Sequence, residues 1–136
     1  MIQVIAGRKG SGKTKRIIDM ANKASQDSKS DIVFIDDDNR YMFDLRHEVR
    51  FINATEYDLT NDQMFTGFLT GAVAQNFDVG LILVDAFKKL IKLDLSETEP
   101  FFKRLEMISE KYSVDFVLSI SEAPADLPEF IKKYVI

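Results

Sequence analysis

Residues 7–14 read GRKGSGKT, and their spacing is that of a chain built to hold phosphate. Gly7 and Gly12 bracket a four-residue stretch and are followed directly by Lys13 and Thr14. Glycines let such a loop wrap with its backbone N–H groups pointing inward at phosphate oxygens. Lys13 brings a positive charge to the terminal phosphates, and the Thr14 hydroxyl can hold Mg²⁺. A helix starting near Lys13 would add the positive end of its dipole. The loop follows an apolar, strand-like run over 2–6. It opens a pattern in which Ile17, Met20, Ala21 and Ala24 can share one helical face, the strand-to-helix context that a phosphate-binding loop requires. The candidate nucleotide-binding residues are therefore Gly7, Lys9, Gly10, Ser11, Gly12, Lys13, Thr14 and Lys15, and the expected ligand is a nucleoside triphosphate.

Two further stretches carry acid where a metal would need it. The apolar run 32–35 is followed by Asp36, Asp37 and Asp38, and the run 79–84 by Asp85. Mg²⁺ keeps several waters and takes one or two carboxylates plus phosphate oxygens, so an Asp delivered by a strand beside the loop is suited to it. Both runs meet that description. The segments that would have to select guanine read NKAS at Asn22 and DAFK at Asp85, and neither fits the pattern of guanine-specific proteins, so adenine is the expected base.

The elements that must position these residues are legible in the apolar pattern. Five β-branched-rich runs, at 2–6, 32–35, 49–52, 79–84 and 114–120, have the character of strands buried on both faces. Helical spacing appears in Met64, Phe65, Phe68, Leu69, Ala72 and Val73 behind Thr60 and Gln63, which have capping-box separation. It appears again in Phe101, Leu105, Ile108 and Tyr112 after Thr98, a candidate N-cap, with Pro100 in the first turn. Gly67 and Gly71 are spaced for close helix contact. Strands alternating with helices predict a single α/β domain over 1–136, with its ligand at the carboxyl ends of a mostly parallel sheet. With 46% hydrophobic and 29% charged residues, the composition is that of a globular domain. A net charge of −4 gives nucleic-acid binding no support. The absence of cysteine excludes disulfides and thiolate metal sites. No apolar run is long enough to span a bilayer, and no signal-peptide pattern precedes the first strand, so a cytosolic location is expected.

The order of these parts resembles the ATPase core of the RecA-like class of P-loop proteins. FIDDDN (34–39) is similar to that family's F-I-D-A-E-H stretch, LILVDAFKKL (81–90) to its metal-binding strand, and EKYSVDFVLSIS (110–121) to the segment ending in a polar sensor. Small stand-alone bacterial proteins labelled as twitching-motility, PilT-like ATPases are similar as well. The resemblance implies a three-layer α/β/α P-loop NTPase fold with a mainly parallel five-stranded sheet in the order 3-2-4-5-1. It implies that Asp85 orients Mg²⁺ with Thr14, that Asp38 stands where the family has the glutamate polarising the attacking water, and that Ser121 is the sensor. Lys13 and Asp38 are thus the expected catalytic residues. ATP and Mg²⁺ are the expected ligands.

The leading expectation is an ATP-binding protein with slow Mg²⁺-dependent hydrolysis. Asp38 is one methylene shorter than glutamate, and positioning an in-line water tolerates little displacement. Self-association or a protein partner could complete the site by supplying an arginine in trans. Two alternatives stay open: a nucleotide-gated regulator without turnover, with the segment 37–50 as its switch, and a small nucleoside kinase.

Overall fold

The structure, a computed structural model, describes residues 1–136. Five parallel strands form one sheet: β1 (Ile2–Gly7), β2 (Asp31–Asp36), β3 (Val49–Asn53), β4 (Val79–Val84) and β5 (Asp115–Ser121). Their spatial order is β1-β5-β4-β2-β3, which is 3-2-4-5-1 read from the other edge, as expected. The register sets Gly7 opposite Ser121, Ile5 opposite Ser119 and Ile35 opposite Val84. β1 is also flanked on its outer side: Val4 N–H donates to Tyr134 O at 2.8 Å, and Ile136 N–H donates to Val4 O at 3.0 Å.

The sheet is covered on both faces, giving three layers. Because side chains alternate along a strand, Ile5, Phe34, Leu83 and Val117 point to one face, where Ile17, Ile18 and Ala21 of α1 (Lys13–Asp27) bury them. Val4, Val33, Ile35, Ile82, Val84, Phe116 and Leu118 point to the other. There they meet α2 (Asp62–Ala74), α3 (Phe87–Ile91), α4 (Glu99–Tyr112) and α5 (Glu129–Lys132). On that side Phe65, Phe87, Phe101 and Phe102 form a continuous aromatic cluster, with Phe87 and Phe101 ring centroids 5.4 Å apart and Phe101 edge-on to Phe102 at 5.8 Å. No helix is long and apolar enough to cross a membrane.

Several local expectations need correction. Thr60 and Gln63 do not form a capping box. Asn61 is the N-cap of α2, its side-chain oxygen accepting from Met64 N–H at 2.8 Å, so the helix starts one residue further on. Thr98 stands at the N-cap position of α4, as expected, but its side chain makes no capping bond. Its buried hydroxyl donates to Leu95 O at 2.7 Å and closes the preceding turn. In the two apolar stripes Met64 and Tyr112 lie exposed, because each sits at a helix end where the stripe rotates off the core.

Gly67 and Gly71 make no close contact. Both are exposed on α2, and a Cβ at either would meet nothing within 4 Å. Glycine in a helix interior costs backbone entropy without return at such a position. Gly67→Ala and Gly71→Ala are each expected to raise stability by about 0.5–1 kcal/mol, seen as a higher urea midpoint at unchanged slope. A loss of stability would show that the face is covered.

Candidate functional site

The loop between β1 and α1 has the backbone its glycines suggest. Gly10 and Gly12 sit at φ +84° and +88°, a left-handed conformation that other residues adopt only with strain. A side chain at Gly7 would run into Ser11. Gly12 occupies the N-cap of α1, yet no side chain caps that helix and no acidic residue lies in its first turn. The first-turn N–H groups thus have no side-chain partner, and the residues that carry them line a cleft with Lys9, which makes this end of α1 suited to an anion. Lys13 is buried, its Nζ donating across the loop to Arg8 O at 3.0 Å.

β4 delivers Asp85 to this loop. Thr14 Oγ1 donates to Asp85 Oδ2 at 3.1 Å, joining residues 71 positions apart in sequence. Asp85 is 6% exposed, and its N–H donates to Ile35 O at 2.8 Å, which continues the sheet ladder past the end of β4. The other carboxylate oxygen accepts from the Ser119 hydroxyl. Ser119 Oγ also accepts from Ala86 N–H at 3.1 Å, and Ala86 is a left-handed residue, φ +57°, at the turn into α3. Ser119 thus fixes both the carboxylate and the turn behind it. Its role went unread in the sequence; the available signal was a polar residue at a fully buried alternation position in β5.

The second acidic group stands at the end of β2. Asp36 is 2% exposed; its Oδ1 accepts from Asp37 N–H at 2.7 Å, while Oδ2 is buried without a partner. Burial first, then a side-chain hydrogen bond with Asp37 and the charges of Asp85 and Asp37, raises its carboxyl to about 8, against the lowering effect of the Asp37 backbone N–H. Asp37 is half-buried with Lys89 Nζ at 3.6 Å. Asp38, the expected water-activating residue, has a half-exposed side chain on the rim. It accepts from Arg40 N–H at 2.9 Å and pairs with the Arg40 guanidinium at 3.7 Å.

These residues line one cleft of about 990 Å³ at the carboxyl end of the sheet. Of the residues expected from sequence, Lys9, Gly10, Gly12, Lys13, Thr14, Lys15, Asp38, Asp85 and Ser121 border it, whereas Gly7 and Ser11 do not. The cleft continues along α1 past Ile18, Asp19 and Asn22 to Arg40, Tyr41 and Asp44. Asn22 holds that far wall: its Nδ2 donates to Asp44 O at 3.0 Å and its Oδ1 accepts from Arg46 N–H at 2.8 Å. Tyr41 is tucked against the α1 core, whereas Phe43 stands 89% exposed. Four carboxylates, those of Asp36, Asp37, Asp38 and Asp85, make an acidic floor. Lys9, Lys15, Arg40, Lys88 and Lys89 surround it with positive charge. An arrangement of this kind can accept a multivalent anion together with a cation.

No protein-family model matches the chain, and a search of curated proteins finds no match to it.

Proposed function

We propose that this cleft binds ATP with Mg²⁺, as in RecA-like P-loop proteins, and that the chain is a slow ATPase acting in the cytosol. The observation that carries the reading is the contact of Thr14 with Asp85, since the motif hydroxyl and the strand-end carboxylate are the two groups that such a site would share. The oxygen-only donors of Thr14 and Asp85 fit Mg²⁺. When bound, the ion would neutralise charge on the terminal phosphates. Lys13 and the first-turn N–H groups of α1 would hold the phosphates, and Ser119 would keep the Asp85 carboxylate aimed at Thr14. Asp38 would orient the attacking water and Ser121 would border the terminal phosphate. Asp38 stands on the rim and is paired with Arg40, a placement that favours slow turnover. It also supports a second reading, nucleotide binding without hydrolysis.

Calorimetric titration with ATP, with and without Mg²⁺, tests binding, and phosphate release tests turnover. Asp85→Asn is expected to remove most of the Mg²⁺-dependent gain in affinity, about tenfold or more. Asp38→Asn is expected to retain ATP binding and lose phosphate release. Absence of ATP binding at millimolar nucleotide would refute the proposal; binding without release in the wild type would select the second reading.

A further inference from the structure

The buried, unpartnered oxygen of Asp36 calls for a partner that the chain itself does not supply. A carboxylate this deeply buried is costly unless its lone pairs are satisfied. Asp36 cannot turn to the basic rim. Lys89 reaches Asp37 at 3.6 Å and Arg40 reaches Asp38 at 3.7 Å, and both cationic side chains are more than two-thirds exposed. Asp85 gives it no hydrogen bond either, since one oxygen of Asp85 is engaged by Ser119 and the other by Thr14. Instead Asp36, Asp37 and Asp38 each bring one carboxylate oxygen to within 4.8 Å of the other two.

We propose that Asp36, Asp37 and Asp38 form a divalent-cation site of their own, separate from the Thr14–Asp85 pair and able to bind without nucleotide. The donor set is all carboxylate oxygen, with no nitrogen or sulfur, which suits a hard ion such as Mg²⁺, Mn²⁺ or Ca²⁺. Asp36 supplies the buried anchor. Asp37 and Asp38 lie progressively nearer the surface of the cleft, so water can complete the shell, as Mg²⁺ and Mn²⁺ require. The ion would compete with Lys89 and Arg40 for the outer two carboxylates, and the long pairing distances make these loose competitors.

The test is titration of the nucleotide-free protein with Mn²⁺, following free ion by its electron paramagnetic resonance signal. One ion per chain is expected, with Mg²⁺ competing for it. Asp36→Asn and Asp37→Asn are each expected to weaken binding by about tenfold or more, since loss of even an outer-shell partner costs roughly 10–100-fold. Thr14→Ala is expected to leave this binding in place. The proposal is overturned if the wild type binds no Mn²⁺ at low millimolar concentration, if binding survives both Asn variants, or if Thr14→Ala abolishes it. Asp37 is half-buried, so Asp37→Asn carries the test should Asp36→Asn fail to fold by circular dichroism. Because nucleotide is left out, the result does not depend on whether the chain binds ATP.

Discussion

Lys13→Ala is expected to weaken Mg·ATP binding by about 100-fold or more, whereas Lys15→Ala changes it by less than about threefold. A unit charge at 4 Å contributes roughly 4 kcal/mol at an effective dielectric of 20. An open cleft would retain part of that, and a loss of about 2.7 kcal/mol is already 100-fold. Lys13 is placed to contribute it. Its side chain is buried at the first position of α1, and its ammonium lies inside the loop, against Arg8 O. Two residues on, Lys15 projects into solvent with its side chain 83% exposed and pairs with Asp19 at 2.9 Å, where water screens it. Calorimetry on the two variants separates a built phosphate site from general attraction to positive charge. Equal losses would indicate the latter, and no loss in Lys13→Ala would remove the loop from the nucleotide site.

The second large effect concerns stability. In the metal-free protein Asp36→Asn is expected to be more stable than the wild type at pH 8 by on the order of 3–5 kcal/mol, with the advantage vanishing near pH 4. The sign follows from the direction of the shift. The Asp36 carboxyl is raised from 3.8 to about 8 by burial, so between these values the folded chain holds a proton that the unfolded chain has released. Wild-type stability from this group is fully present below about pH 4 and is lost as pH climbs toward 8, each unit being worth about 1.4 kcal/mol. Asparagine cannot ionise and still accepts from Asp37 N–H. Urea unfolding of both proteins at several pH values in chelator would show diverging curves. Parallel curves would mean that Asp36 ionises as an ordinary surface acid.

The architecture was readable because strands buried on both faces write themselves as uninterrupted apolar runs, and each of the five runs became a strand. The loop was readable for a similar reason: Gly10 and Gly12 are needed where the backbone turns left-handed, and the following Lys and Thr are local. The rest depended on three-dimensional neighbours. Asp36, Asp37 and Asp38 are chemically identical in sequence, and only the reach of β2 beside β4 makes the first the buried one. Ser119 acts on Asp85, 34 positions earlier, and no local pattern joins them. Asn61 and Thr60 are both competent caps, so the choice fell to where α2 meets the sheet. Gly67 and Gly71 have the spacing of a contact, but the face they occupy is turned to solvent.

The placement of β1 also affects how the chain is made. The strand that carries the loop pairs on one side with β5 and on the other with residues 134–136, and Arg16 in the first turn of α1 donates to Ile136 O across 120 positions of sequence. At ribosomal rates of about 5–20 residues per second, β1 emerges on the order of 6–20 s before either partner. Through that interval the apolar strand and its loop have no sheet to join, and the strands between them can pair first as β2, β3 and β4. β1 is thus among the last strands to settle although it precedes its partners in the chain, a long-range closure of the kind that slows folding. A ligand of the loop therefore meets a site whose supporting strand is held in place only once residues 115–136 have closed on it.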